Sequence, residues 1–149
     1  MKKILCAIES ITDTLAAALA KANYDPMVEI VPMYSHIGII TEIEEAAKSG
    51  SAYDAVILPM QTLSGRFDTD LVIYLNEMFD VDIIQVFPRA VRGGEQATAL
   101  YMAGLYNCVF ADANADLTNL VAQRLSSPRK RSDVPLAYGL HIARGGREL

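Results

Sequence analysis

The chain of 149 residues is long enough for one domain with a single hydrophobic core. Its 52% hydrophobic and 21% charged residues are typical of a globular protein and exclude a disordered chain. No apolar run approaches the roughly 18 residues that a membrane-spanning helix needs, and the N-terminal apolar stretch is too short for a signal peptide. We therefore expect a cytoplasmic protein without membrane insertion.

The charge is distributed unevenly along the chain. Residues 1–126 carry 8 Lys/Arg and 16 Asp/Glu, a net charge of −8, whereas residues 127–149 carry 5 and 2, a net charge of +3. An acidic body repels a phosphate backbone, so we expect no nucleic-acid partner. The basic tail could contact an acidic partner or could be a solvated linker.

The two cysteines indicate a reduced compartment. Cys6 and Cys108 lie inside apolar runs, with neither a CxxC pattern nor a Cys/His cluster nearby. This placement predicts buried, reduced thiols in the cytoplasm and no metal site. A disulfide between them would require their strands to be adjacent.

Five apolar, β-rich segments alternate with segments of helical spacing. The predicted strands are 3–8, 28–33, 54–60, 81–87 and 107–111. The predicted helices are 11–22, 41–50, 68–79, 94–104 and 114–125. Most of the strands are continuously apolar, as expected when helices cover both faces of a parallel sheet.

Local signals predict how three of the helices begin or pack. Thr12 or Asp13 could cap the first helix. The second opens on a Thr41-x-x-Glu44 capping box. In the third, the buried face is predicted to consist of Leu71, Leu75 and Met78.

The alternation of strands and helices predicts an α/β fold of three layers. Its centre is a doubly wound, five-stranded parallel sheet with right-handed crossovers, in the flavodoxin-like order 2-1-3-4-5. This domain is predicted to span residues 1–126.

Residues 127–149 are predicted to form a basic linker and a short helix or tail. Asp133 would cap this helix, with Pro135 in its first turn. Its apolar face would consist of Leu136, Leu140 and Ala143, and the helix would end before Gly145. Such a short helix needs a docking surface. It packs on the domain, reaches another subunit, or leads into a second domain.

The order 2-1-3-4-5 places a ligand crevice at the carboxyl ends of the first and third strands. Glu9 and Ser10 follow the first of these strands. The third, in "YDAVILPMQTLSG", ends at Pro59, and its loop offers polar side chains. Gln61, Thr62 and Ser64 could contact a ligand there, or the loop could be an ordinary connection after a proline-terminated strand.

The stretch "MAGLYNCVFADANADLTNLVAQRL" (102–125) resembles the late signature of response-regulator receiver domains, the CheY-like family. The Ala103-Gly104 pair after the fourth helix and the strand "CVF" match this signature. The resemblance covers roughly residues 1–126 and implies the same fold and a place in signal transduction.

The resemblance also implies where the family's working residues would fall. Its acidic pair after the first strand is reduced to Glu9, and its phosphoacceptor aspartate falls on Pro59. Its hydroxyl residue falls on Phe87, or on Pro88 or Arg89 in other alignments, and its lysine falls on Ala111. The chain is therefore expected to be a pseudo-receiver with no catalytic residues, metal or cofactor, and not an enzyme.

Among pseudo-receivers, the chain is most similar to the N-terminal receiver-like domains of the TadZ/CpaE pilus-assembly and localisation proteins, which precede a ParA/MinD-like ATPase domain. The chain contains no Walker motif. It is then a fragment of a longer protein, or it acts alone with such an ATPase as a partner. The resemblance implies dimerisation or docking of a protein partner, often through the helix 4–strand 5–helix 5 face. Tyr101, Tyr106 and Asn119 are its candidate contacts.

Two other functions stay open at this point. A small-ligand protein of the flavodoxin type would bind flavin or nucleotide phosphate with a hydroxyl-rich first loop, here Ser10, Thr12 and Thr14. An atypical receiver would be phosphorylated on Glu9 or Ser10.

Overall fold

Five parallel strands form one sheet in the order β2-β1-β3-β4-β5. The computed structural model describes residues 2–62, 64–112 and 114–140, with the backbone alone for 114 and 115. The strands are β1 (Lys2–Cys6), β2 (Val28–Pro32), β3 (Ala55–Leu58), β4 (Asp82–Phe87) and β5 (Val109–Phe110). The helices are α1 (Glu9–Lys21), α2 (His36–Lys48), α3 (Thr69–Met78), α4 (Glu95–Met102), α5 (Asn114–Ser126) and α6 (Val134–Ala137). This architecture confirms the predicted doubly wound α/β fold.

The helices cover both faces of the sheet. α1 and α5 pack on one face, and α2, α3 and α4 pack on the other. Successive side chains of β3 alternate between the two cores, with Val56 and Leu58 on the α2–α4 side and Ile57 on the α1–α5 side. All four residues of β3 are buried, which explains why its sequence is continuously apolar.

The first helix begins earlier than predicted, and neither Thr12 nor Asp13 caps it. α1 starts at Glu9 after the N-cap residue Ile8, which makes no side-chain capping bond. Thr12 lies inside the first turns, where its hydroxyl donates to the Ile8 carbonyl at 3.0 Å. The hydroxyl therefore satisfies the helix's own backbone instead of starting the helix.

The predicted start of the second helix was also wrong. α2 begins at His36, and the Ser35 hydroxyl caps it by accepting from the Gly38 N–H at 3.1 Å. The Thr41–Glu44 pair lies inside the helix and forms no capping box. The pattern did not indicate the start of this helix, because a threonine three residues before a glutamate also occurs within helices.

The buried face predicted for the third helix is confirmed at Leu75 and wrong at Met78. Val72 and Leu75 are buried, whereas Met78 is 61% exposed. Leu71, as predicted, and Phe79, immediately after the helix, are partly buried and pack against the same core. Asp68 caps α3 by accepting from the Leu71 N–H at 2.9 Å.

Residues 127–140, hereafter the C-terminal segment, pack against the domain beside β5. Tyr138 is completely buried, and its hydroxyl donates to the Leu105 carbonyl at 2.7 Å while accepting from the Cys108 N–H at 2.8 Å. Its ring meets Phe110 edge-on, with centroids 5.4 Å apart. The side chain that anchors the segment is thus part of the domain core.

The apolar face predicted for the tail helix is wrong at Leu136, whereas Leu140, just after the helix, is partly buried against the domain core. α6 has Pro135 in its first turn, as expected, but its buried residue is Val134, and Leu136 is 82% exposed. Tyr138 is the C-cap residue of α6, and Gly139, the next residue, has a φ of 70° and ends the helix. The remainder of the prediction, Ala143 and Gly145, lies outside the described residues.

Two arginines hold the C-terminal segment in place through backbone carbonyls. Arg129 donates from Nη1 to the carbonyls of Tyr106 and Cys108, at 3.2 and 2.7 Å. Arg92 donates from Nη2 to the Leu136 carbonyl at 2.7 Å and from Nε to that of Ala137 at 3.1 Å. Side chains of the C-terminal segment therefore satisfy both the N–H and the carbonyl of Cys108, the residue before β5.

Both cysteines are free and buried. Burial raises the pKa of the Cys108 thiol to about 12 and also raises the pKa of Cys6. Both thiols therefore stay protonated and unreactive near neutral pH. No helix in the described part of the chain is long and apolar enough to cross a bilayer.

Candidate functional site

The loops after β1 and β3 border a crevice of about 500 Å³ at the carboxyl edge of the sheet, where the strand order reverses. Parallel α/β sheets bind their ligands at this position. The structure brings together five of the predicted site residues there, Glu9, Ser10, Pro59, Gln61 and Thr62. The other residues that line the crevice are Ala7, Ile8 and Tyr34.

The short connection between β1 and α1 determines which groups reach the crevice. Only Ala7 and Ile8 separate the two elements, so Glu9 and Ser10 are the first residues of the helix. Glu9 is exposed, and among the described residues that line the crevice it is the only carboxylate. The resemblance to receivers implies a cluster of acidic side chains at this point, but the described lining of the crevice contains a single acidic side chain, that of Glu9.

The hydroxyl-rich first loop expected of a flavodoxin-like phosphate site does not exist, because Ser10, Thr12 and Thr14 all lie within α1. Thr12 shares a 3.0 Å hydrogen bond with the Tyr34 hydroxyl, in addition to its bond to the helix backbone. The Thr14 hydroxyl bridges to Thr118 of α5 at 3.1 Å. These groups connect elements of the fold and do not form a phosphate-binding loop.

Pro59 follows the end of β3, at the position where the sequence resemblance implies the nucleophile of a receiver. A proline side chain has neither an oxygen to attack phosphorus nor a charge to bind a cation. The following loop doubles back, and Gln61 and Arg66 form an isolated antiparallel bridge. Gln61 is exposed at the mouth of the crevice.

The other polar side chains of this loop are used in holding its shape. The Thr62 hydroxyl donates to the Gly65 carbonyl at 2.7 Å. The Ser64 hydroxyl accepts from the His36 N–H at 3.1 Å, which attaches the loop to the start of α2. A Cβ at Gly65 would lie only 2.7 Å from the His36 ring, so glycine is required for this close approach. Of the three polar loop residues proposed as ligand contacts, two are engaged within the protein.

Two further predicted positions, Phe87 and Ala111, lie outside the lining of the crevice. Phe87, the last residue of β4, is buried and stacks on Phe110 with centroids 5.8 Å apart. The Ala111 N–H donates to the Phe87 carbonyl at 3.0 Å. An aromatic core contact and a methyl group thus stand at the two positions where the sequence resemblance implies the hydroxyl and the lysine of a receiver.

The residues at the crevice do not fit the Mg²⁺ ion that receivers bind. Magnesium requires octahedral oxygen coordination and is held through carboxylates. Glu9 offers one carboxylate, and Pro59 offers no side-chain oxygen. Within residues 2–62, 64–112 and 116–140, no group of three or more His, Cys, Asp or Glu side chains could hold a metal ion.

The three candidate contacts for a partner do not lie on one surface. The rings of Tyr101 and Tyr106 are neighbours, with centroids 6.2 Å apart, and both residues are half-buried. The Arg131 guanidinium of the C-terminal segment is near enough to Tyr101 and Tyr106 for these side chains to raise its pKa. Asn119 instead lines a groove between α1 and α5, beside Thr14 and Thr118.

Sequence reasoning missed the part that Tyr138 and Arg92 play in docking the C-terminal segment. The sequence signal that could have indicated this docking is a glycine directly after each residue. Gly139 follows Tyr138 and Gly93 follows Arg92, and their φ angles are 70° and 83°. Gly93 N–H donates to the Tyr138 carbonyl at 2.7 Å, and the Gly139 carbonyl oxygen lies 3.2 Å from where a Cβ on Gly93 would be. The two glycines let the segment and the loop after β4 approach each other closely.

The fold matches that of a solved structure. The crystal structure of a response regulator receiver domain protein from Clostridium thermocellum superimposes with a TM-score of 0.55, covering 84% of this chain and 94% of that chain. The chain has a receiver-like fold. The two sequences are 13% identical, so the likeness extends to the fold alone. No protein-family model matches the receiver-like chain, and no curated protein matches it.

Proposed function

We propose that this chain is a pseudo-receiver that works without phosphorylation, as a protein–protein interaction or dimerisation module and not as an enzyme. The observation that carries the proposal is Pro59 at the end of β3, in a crevice that has Glu9 as its one carboxylate among the described lining residues. The receiver-like fold is retained around a crevice without a nucleophile at that position.

Four separate contributions to phosphoryl transfer are absent from their family positions. The nucleophile is replaced by Pro59, the metal-binding pair is reduced to Glu9, the hydroxyl is replaced by Phe87 and the lysine by Ala111. Phosphoryl transfer depends on positioning and charge stabilisation, which these groups supply together. The loss of all four leaves the fold itself as the functional element.

We propose that the partner is a second copy of this chain, and that Tyr101 and Tyr106 belong to the contact surface. Half-buried aromatic pairs are enriched at interfaces, because they bury a large area and retain a polar group for hydrogen bonding. Met102, next to Tyr101, is 75% exposed. Tyr138 and Arg129 already occupy the backbone groups of Cys108 beside β5, which favours a contact made by side chains over strand addition. Asn119, on its separate groove, is a second candidate contact.

The proposed setting is cytoplasmic and concerns pilus assembly or the polar localisation of its machinery, with an ATPase of the ParA/MinD type as a further partner. The resemblance to the receiver-like domains of TadZ/CpaE proteins supports this setting. The two free, buried cysteines also suit a reducing compartment.

Replacing Tyr101 with glutamate is expected to convert a dimer into a monomer. A carboxylate at the centre of the contact would be desolvated and, across a two-fold interface, would face its own copy. Size-exclusion chromatography with light scattering measures the change. Tyr74→Glu on α3, where the tyrosine is 44% exposed, is the matched control and is expected to leave the dimer intact. A wild-type chain that is monomeric at every concentration would contradict the proposal of self-association.

A further inference from the structure

A groove of about 580 Å³ lies alongside β5 and is lined by several positively charged side chains, although the protein as a whole is acidic. Four arginines line it. Three of them, Arg89, Arg92 and Arg124, come from the part of the chain that has only 8 basic residues against 16 acidic ones. The fourth, Arg129, belongs to the C-terminal segment.

Two of these guanidinium groups are fixed in position without being neutralised. Arg92 and Arg129 donate to backbone carbonyls, as described above, and these acceptors carry no net charge. Carbonyl bonds restrict the side chains but leave their positive charges uncompensated. This arrangement pre-organises donors for an anion, since little side-chain entropy is left to lose on binding.

The other two guanidinium groups, those of Arg89 and Arg124, make no hydrogen bond or ion pair with the described residues. Arg124 is half-buried, and desolvation followed by the nearby charge of Arg129 lowers its pKa. Like charges that are brought together and partly desolvated are unfavourable unless an anion joins them.

The acidic side chains near the groove do not pair with these guanidinium groups. Asp112 accepts from the backbone N–H of Arg89 at 3.0 Å, and its carboxylate forms no ion pair with the Arg89 guanidinium. Asp133 is near enough to favour the charged form of Arg124, but its carboxylate accepts from the Lys130 N–H at 3.3 Å. The described part of the chain therefore leaves the four guanidinium groups without a carboxylate partner.

We propose that this groove is a binding site for a small ligand that carries two adjacent phosphate groups, such as a nucleoside diphosphate. Arginine forks match phosphate oxygens with paired, charge-assisted hydrogen bonds, and four of them suit a diphosphate better than a single anion. The groove volume lies within the range of small-molecule sites. Phe110 and Leu120, which are partly buried in the groove wall, offer apolar surface to the remainder of the ligand.

Isothermal titration of the full chain with inorganic pyrophosphate and, separately, with ADP tests this site. Saturable binding of either ligand supports it, and tighter binding of ADP assigns the apolar wall to the nucleoside. The double variant Arg89→Gln/Arg124→Gln is expected to weaken binding by about tenfold or more for each arginine lost. Arg92 and Arg129 are left intact because they also hold the C-terminal segment.

The matched control is Lys48→Gln/Arg66→Gln, which removes the same charge from two exposed sites elsewhere. We expect this control to bind like the wild type at an ionic strength near 0.15 M, where charges further apart than about 8 Å are screened. Equal weakening in both double variants, or no saturable binding of either ligand, overturns the proposal. Neither result bears on the dimer contact, which Tyr101→Glu tests separately.

Discussion

A chain carrying Tyr138→Ala is expected to lose about 3–5 kcal/mol of its free energy of unfolding. Truncating a fully buried aromatic side chain removes its transfer free energy and leaves a cavity. It also leaves the Cys108 N–H and the Leu105 carbonyl without the hydroxyl that pairs both. Since domains of this size are stable by only about 5–15 kcal/mol, the midpoint of urea unfolding should fall strongly.

Two companion variants separate the causes of this loss. Tyr138→Phe keeps the ring and removes the hydroxyl, so it is expected to cost about 1–3 kcal/mol, the penalty for leaving buried polar groups unpaired. Leu136→Ala, two residues away on the same segment and 82% exposed, is expected to change stability by less than about 0.5 kcal/mol. If Tyr138→Ala and Leu136→Ala had equally small effects, the C-terminal segment would not be part of the folded core.

Phe87→Thr is expected to lower stability by about 3–5 kcal/mol and to restore no receiver chemistry. The substitution places a hydroxyl at one of the positions where the sequence resemblance implies one, but here the side chain is 3% exposed and stacks on Phe110. Large-to-small replacement at such a site leaves a cavity, and the new hydroxyl would be buried. Urea unfolding followed by circular dichroism measures the loss.

Pro88→Thr provides the comparison, because Pro88 is the neighbouring alignment position and its side chain is exposed. We expect a change of about 1 kcal/mol or less, chiefly from the greater freedom that the unfolded chain gains when a proline is removed. If Phe87→Thr were as mild as Pro88→Thr, Phe87 would not be a stabilising core contact.

The fold could be predicted from the sequence because each strand and helix has a strong local pattern. β3, for example, is apolar without interruption, and such a strand must have both faces covered. Capping signals were less reliable. The Thr41–Glu44 pattern matches a capping box, but α2 begins at His36 because Ser35 is a better-placed cap.

The candidate site was predicted in outline, since Glu9, Ser10 and Pro59 do line one crevice. The roles of the C-terminal segment could not be predicted, because they depend on contacts between residues far apart in the sequence. The Tyr138 hydroxyl pairs with groups 30 and 33 residues away, and Arg92 bonds to carbonyls 44 and 45 residues away. No local periodicity encodes such pairs. The arginine groove depends on the same long-range docking.

We propose that this receiver-like fold does not carry out phosphoryl transfer. The most direct test is the intact mass of the chain after incubation with Mg²⁺ and acetyl phosphate, beside a receiver that retains its aspartate. We expect the control to gain one phosphoryl group and this chain to gain none, because Pro59 offers no nucleophile and Glu9 alone does not hold the metal. A stoichiometric phosphoryl adduct on the folded chain that disappears in Glu9→Gln would contradict the account.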